Sequence, residues 1–519
     1  MDATQSLAPI DITIILVYMA GVLALGIYFS RYVKSGADFF VASRALPFWA
    51  IGMSVVVSDI GAMDFIGVAG ETYNSGIAVA NFDWIGSMPA MVFAAFIFIP
   101  YYWRSGVYTI PEFLGKRYNR AVQVIHGAIW GIFLFVTTSV GLWITADKFL
   151  NDVLGWNIWV SVWVLVIIVG FYTFSGGLTA VVMTDSIQMI IMFVGGFALL
   201  ALGLYEVGGW SGLVEGVYAR GPEFEDHFKI LLPNDTETAF PWTGIVFGLG
   251  IVMATAYMSG NQAVVQRTLG ARSEWDAKGG MLFAGFIKSF IPLLVAVPGL
   301  CAVVLLPDLE VGDDAIPSLM RALLPPGLRG LMFAAMFAAL MSSMDSALNS
   351  ASTIWTTDLY GLAYRQVTGS GLTERHSLIV GRSFTLIFVV RAGALSQTLG
   401  MNDGLYNFLQ TALSMFQGPV FAILLLGIMW RRTTQWGGLA GLVLGVIFTT
   451  TLHNIDNLFA SEDPYLFISW WSFIFSLVIT VLVSLVTPPE PEEKIRGLVF
   501  GQVMKDGELQ RVLRDRSSD

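Results

Sequence analysis

Apolar stretches of about twenty residues recur from residue 10 to residue 486. A stretch of that length, wound as a helix rising about 1.5 Å per residue, crosses a ~30 Å hydrocarbon core. In lipid the backbone must satisfy its own hydrogen bonds, so such segments are read as helices. About thirteen crossings are expected, over 10–30, 46–70, 78–101, 121–146, 157–174, 179–204, 240–262, 279–306, 329–356, 378–397, 404–430, 436–452 and 464–486. Hydrophobic residues make up 55% of the chain and charged residues 13%, about half the charge that a soluble surface of this size needs. Many of the 54 glycines lie inside the apolar stretches, as suits closely packed membrane helices. The expectation is an all-α membrane protein in which residues 1–486 form one transmembrane domain and 487–519 a short polar tail.

Lys and Arg collect in alternate loops. One side holds Arg31, Lys34 and Arg44, then Arg104, Lys116, Arg117 and Arg120, then Arg267, Arg272 and Lys278. Arg365, Arg375, Arg382, Arg431 and Arg432 follow on that side, whereas the longest loop of the other side, 205–239, is acidic. Basic loops stay in the cytoplasm, so the N-terminus is expected outside and the tail inside, with the chain multi-pass in the cell inner membrane. No basic segment precedes the first stretch, which is therefore read as a retained helix. A net charge of −10 argues against nucleic-acid binding, and Cys301 alone excludes an intramolecular disulfide. His126, His227, His376 and His453 are scattered without metal-ligand spacing. With no phosphate-cradling loop or nucleophile elbow either, the chain is not expected to be an enzyme. A monomer is favoured.

Polar residues inside the apolar stretches carry the functional signal, because an ionisable group at bilayer depth usually faces a cavity, an ion or a partner. SDIGAMDFIG (58–67) puts two aspartates and two glycines into the second segment, and YMSGNQ (257–262) interrupts the end of the seventh. Breaks at matching places in two halves point to a transporter's binding site. Their offset of five segments suggests two five-helix halves of opposite orientation, about 46–204 and 240–430. AALMSSMDSALNS (338–350) holds Ser342, Ser343, Asp345, Ser346 and Ser350, and the spacing of Ser342, Asp345 and Ser346 puts them on one helix face. Hydroxyls and carboxylates of this kind suit a hard cation such as sodium, although a membrane serine also bonds the preceding turn's carbonyl. Lys288 lies inside FAGFIKSFIPLLVAVPG (283–299), facing either a solute or a structural ion pair with a membrane aspartate. Arg391 is a further cation within an apolar stretch.

Longer runs resemble the sodium/solute symporter family, and within it the sodium/glucose branch that includes the bacterial sodium/galactose and sialic acid symporters. They are YTIPEFLGKRY (108–118), GGLTAVVMTDSIQMIIMFVGG (176–196), NQAVVQRTLGA (261–271) and LRGLMFAAMFAALMSSMDSALNSAST (328–353). The resemblance implies a LeuT-like 5+5 inverted repeat, alternating access and solute uptake driven by the sodium ion. By the same resemblance, one sodium site takes the Ser342 and Ser343 hydroxyls with the carbonyls of Ala339, Val57 and Ile60. A second would gather Asp185, Ser342, Asp345 and Ser346, although the TDS context of Asp185 also suits a helix cap. The solute residues implied are Asp64, Asp83, Tyr257, Lys288 and Gln410, with Tyr257 stacking on a sugar ring or packing in a helix interface.

The family pattern is not kept everywhere. Asp345 stands where several relatives carry serine or threonine, Asp64 where they carry His or Gln, Asp83 where they carry Glu, and Asp59 where Asn is common. Ala254 matches a sugar-contacting Asn or Thr. The added acids suit sugars or polyols, whose hydroxyls donate to carboxylates. A carboxylate solute such as sialic acid is the alternative, but 121–146 lacks the arginine which that branch uses as a clamp. The other alternative is an uncoupled channel or sensor.

Overall fold

In the computed structural model, which describes residues 7–61, 64–151, 155–396, 405–455, 458–459 and 464–502, the chain is almost wholly helical. The crossings run in order as α1 (Pro9–Ser30), the bent pair α2 (Phe48–Asp59) and α3 (Asp64–Ser75), α4 (Ile77–Ile97), α5 (Arg120–Asp147) and α6 (Ile158–Glu206). A second bent pair, α7 (Gly244–Gly260) and α8 (Gln262–Leu269), opens the second half. It is followed by α9 (Glu274–Leu305), α10 (Leu328–Thr368), α11 (Glu374–Ser396), α12 (Phe408–Met429), α13 (Gln435–His453) and α14 (Tyr465–Val486). Among the described residues, ten helices are individually long and apolar enough to span a membrane, and counting each bent pair as one span gives twelve.

The remaining crossing lies within α6. Its 49 residues would extend about 73 Å as one rod, more than twice the hydrocarbon thickness. Gly177, at φ 53° and ψ −158°, breaks it into two crossings. That conformation is open to glycine almost alone, and a Cβ there would lie 2.7 Å from the carbonyl oxygen of Phe39. With α6 divided at Gly177, the candidate spans among the described residues fall on the thirteen segments expected from the sequence.

α10 sits in the middle, packed against α6, α5 and α1, and is buried on nearly every face. Its run of Ala, Ser and Gly lets the neighbours approach closely, as membrane helices require. α2 lies on α9 and α6, while α12, α13 and α14 pack on one another. The loops sort to two ends. At one end the Ala37 amide donates to Glu374 (2.9 Å), Arg104 clasps Glu274 (2.6 and 3.0 Å), and Arg120 donates to the Leu362 carbonyl (2.5 Å). At the other end Ile77 donates to the His227 carbonyl (2.8 Å), and buried Asp11 accepts from the amides of Gly327 (2.7 Å) and Gly330 (2.8 Å) at the start of α10. The basic loops therefore gather at one end.

Two arginines expected in those loops are instead buried. Arg117 donates to the carbonyls of Gly427 (2.6 Å) and Thr433 (2.9 Å), satisfying the C-terminal end of α12. Arg267 enters the core and is described below. Arg391 is exposed on α11, away from the core.

Gly177→Ala is expected to cost about 1–3 kcal/mol, because the new side chain is forced into a conformation it rarely adopts. The measurement is thermal unfolding of the purified protein; an unchanged midpoint would mean that the α6 break tolerates a side chain.

Candidate functional site

Both bent spans break where the sequence interrupts its own helical ladder. α2 ends at Asp59, Ile60 turns to an extended ψ of 94°, and α3 sets off at 60° to it. Asp64, the first residue of α3, accepts a hydrogen bond from the Gly61 amide (2.7 Å). α7 and α8 meet at 50° around Asn261, whose side chain caps α8 by accepting from the Ala263 amide (2.9 Å). Freed carbonyls and amides at helix ends inside a membrane protein need partners, and here the ends border a cavity of about 190 Å³.

Lys288 is the charged centre of that cavity. It lies where α9 is interrupted by a turn at Ser289–Phe290, and Trp84 of α4 donates to the freed Ser289 carbonyl (3.0 Å). The ammonium pairs with Asp59, stands 2.9 Å from an oxygen of Asp83 and donates to Ser87 (3.2 Å). The lysine is 4% exposed, so its pairing is a desolvated one. One cation of the second half thus ties α2 to α4 of the first. Asp59 and Asp83 are both among its partners, and Asp64 lines the same space.

Tyr257 and Gln410 also line the cavity. Tyr257, half-buried on α7, meets Trp130 edge-on at 6.3 Å between ring centres, and Trp130 in turn meets Phe416 at 5.2 Å. An aromatic wall therefore faces the polar one. Gln417 is a lining residue that sequence reasoning missed. It is buried, and neither atom of its amide has a hydrogen-bond partner among the described residues. A buried amide left in that state asks for a partner from the cavity.

Beside the cavity, α10 passes the end of α2. The Ser343 hydroxyl is 3.1 Å from the Ala339 carbonyl and 3.2 Å from the carbonyl of Ser58, which Val57 and Ile60 closely flank. The Ser343 hydroxyl and the Ala339 and Ser58 carbonyls thus meet at a helix end, with Val57 and Ile60 placed beside them by their position in the chain. Ser342 faces another way, donating to Asp185 on α6 (2.6 Å). Asp185 also accepts from Ser54 (2.5 Å) and Ser58 (3.2 Å). Asp345 accepts from the Tyr172 hydroxyl (2.6 Å) and from Ser346 (3.1 Å).

Arg267 stands in the middle of this second group. Its guanidinium is 3.3 Å from Asp185 and donates to Ser54 (2.6 Å), Ser58 (2.6 Å) and Ser346. The sequence places it among loop cations because it follows a break and precedes Arg272 and Lys278. Its signal lay in its distance from Asn261: six residues on, it is still on the short helix that dives back inward. Ser54 and Ser58 carried no signal beyond that of any membrane serine.

A family model described as the sodium:solute symporter family matches residues 39–445. The chain belongs to that family, and it is a multi-pass, sodium-coupled solute symporter rather than an enzyme. Among curated relatives, the sodium/glucose cotransporter of Vibrio parahaemolyticus is 31% identical over 508 residues, covering 93% of this chain and 91% of the relative. The sodium/myo-inositol cotransporter of Canis lupus familiaris is 34% identical over 549 residues, covering 94% and 75%. A substrate-bound, outward-open sodium-coupled sialic acid symporter superposes with a TM-score of 0.81 at 20% identity, over 93% of this chain and 99% of its own. A nucleobase-cation-symport-1 family transporter in a closed conformation superposes at 0.57 and 12% identity, over 90% and 98%. These likenesses establish the fold as the expected all-helical LeuT-like one.

Removing the ammonium of Lys288 strands two carboxylates in a poorly hydrated site. Lys288→Met is expected to destabilise the protein by about 3–5 kcal/mol, and adding Asp59→Asn should recover a large part of it. Thermal unfolding of the single and double variants checks this; losses that simply add would mean the pair is not coupled.

Proposed function

We propose that the chain imports a small hydroxyl-rich solute, a sugar or a polyol, by alternating access driven by sodium. The observation that carries this reading is the meeting, around one cavity, of the Lys288–Asp59–Asp83 group, the unpartnered Gln417 amide and the helix-end oxygens by Ser343. Carboxylates accept from hydroxyls, an ammonium donates to them, and an amide does both. Tyr257 offers an aromatic face to a sugar ring, and Asp64 and Gln410 add polar groups to the same wall. The names of the sodium/glucose and sodium/myo-inositol relatives support the same solute class.

A carboxylate solute is disfavoured by charge. Three aspartates and one lysine line the cavity, and Arg267 is spent on Asp185. An anion would meet like charge without a bidentate partner.

The sodium ion is assigned to the oxygens of Val57, Ile60, Ala339, Ser342 and Ser343, with the Ser342 hydroxyl turning from Asp185 to join them, in keeping with a hard cation's preference for carbonyls and hydroxyls. One charge crossing 100 mV supplies about 2.3 kcal/mol, enough for roughly 40- to 50-fold accumulation before the sodium gradient is added. The basic end of the molecule is assigned to the cytoplasm, which puts the N-terminus outside and residues 487–519 inside, with the chain in the cell inner membrane. Residues 1–486 act as one transporter domain with its repeats at about 46–204 and 240–430, and a monomer suffices.

Uptake in proteoliposomes tests the reading. Accumulation of a sugar or polyol that requires an inward sodium gradient is expected, and simple equilibration would mark a channel or uniporter instead. Ser343→Ala should abolish the sodium dependence in a protein that still folds, and sodium dependence that survives would move the ion elsewhere. Gln417→Leu should raise the half-saturating solute concentration about ten-fold, the cost of one lost hydrogen bond. An unchanged value would take Gln417 out of the solute's reach.

A further inference from the structure

The solute cavity holds more negative charge than its own cation can answer. Asp59, Asp64, Asp83 and Lys288 line it, and every other described side chain on its wall is neutral. An ammonium has three protons to give. Those of Lys288 meet Asp59, Asp83 (2.9 Å) and the Ser87 hydroxyl (3.2 Å), so none is directed at Asp64. Asp64 accepts from the Gly61 amide (2.7 Å) and makes no ion pair among the described residues. The start of α3, where Asp64 stands, offers a carboxylate roughly half a charge at most.

A carboxylate held out of bulk water calls for a full counter-charge. On the sodium assignment made above, the ion beside Ser343 brings the count around the cavity to two positive charges against three negative ones. A neutral hexose leaves that difference standing, because its hydroxyls donate hydrogen bonds but carry no charge. A solute with one ammonium closes it. Groups for the rest of such a solute are present. The Gln417 amide is 1% exposed and neither its oxygen nor its nitrogen has a partner among the described residues, so it offers hydroxyls both a donor and an acceptor. Gln410 lines the same cavity, and Tyr257 adds an aromatic ring.

We propose that the solute is an amino sugar or an amino polyol, whose ammonium is held by Asp64 while its hydroxyls meet Gln417 and the rest of the wall. The inference rests on the hydroxyl-rich solute and the sodium site of the proposed function, and it adds the charge of the solute and the residue that reads it. Lys288, tied to Asp59 and Asp83, keeps the two halves together, and Asp64 is the acid left over for the passenger.

Solute binding to the purified full-length protein, in saturating sodium and in mildly acidic buffer where the amines are charged, tests this. The probes are glucosamine, galactosamine, 6-amino-6-deoxyglucose and an amino-inositol, each set against its parent sugar or inositol and its N-acetyl derivative. At least one amine should bind about ten- to a hundred-fold more tightly than its parent, the gain of a hydrogen bond to a charged group. N-acetylation, which keeps the ring and removes the charge, should abolish that gain. Asp64→Asn should close the gap between amine and parent, and Asp64→Glu, which keeps the carboxylate, should retain it. Parents that bind as tightly as their amines overturn the inference while leaving a sodium-driven sugar or polyol carrier in place. A gap that survives in a folded Asp64→Asn overturns it too, since the ammonium then lies elsewhere. If neither amines nor parents bind in sodium, the hydroxyl-rich solute itself is wrong. Should Asp64→Asn fail to fold, the comparison of amine, parent and N-acetyl derivative on the wild type decides.

Discussion

At bilayer depth an ionised side chain persists only beside its counter-charge, and this constraint governs how the two halves of the molecule meet. Lys288 on α9 is held by Asp59 on α2 and Asp83 on α4. Arg267 on α8 is held by Asp185 on α6 and by serines of α2 and α10. Both cations come from the second half and all three aspartates from the first. Neither half could leave the other without stranding charge in a poorly hydrated interior. The bent spans follow from the same constraint, since a straight α2 would carry Asp59 and Asp64 on one continuous rod with fewer donors in reach. Breaking it lets Asp64 accept from the Gly61 amide while Asp59 turns to Lys288.

The crossings were legible because apolar runs of bilayer length leave few alternatives to a helix. The breaks were legible for the opposite reason, since Gly with Asp at 58–67, and Gly with Asn and Gln at 257–262, cannot stay in a regular lipid-facing helix. Even the division of α6 could be read from the run at 157–204, which is too long for one crossing. The pairing of Lys288 with membrane aspartates was open as an alternative, and the structure draws Asp59 and Asp83 to it. What a linear reading lacks is the direction in which a polar side chain points. Arg267 and Arg272 sit five residues apart in similar company, yet one is 1% exposed and the other has a side chain 59% exposed. Only the re-entry of α8 into the core separates them. Gln417 was invisible for a related reason: its importance lies in the partner it lacks, and a missing partner leaves no mark on a sequence.

The peptide joining Ser58 to Asp59 offers a physical account of how ion and solute come to depend on each other. The Ser58 carbonyl is 3.2 Å from the Ser343 hydroxyl, at the group assigned to sodium, and its side chain bonds Arg267. The next residue, Asp59, holds the lysine of the solute cavity. On the proposed assignment, a cation at the end of α2 would fix these oxygens by drawing them inward, and so fix where Asp59 stands relative to Lys288. A solute that takes its hydrogen bonds from the lysine and the aspartates finds them set correctly only when that helix end is set. The coupling between the two ligands then equals the free energy of ordering one short helix end, which neither binds without and which both share. A bridge one residue long needs no rearrangement transmitted across the bundle, and the charge networks on either side of it keep the rest of the fold from absorbing the strain.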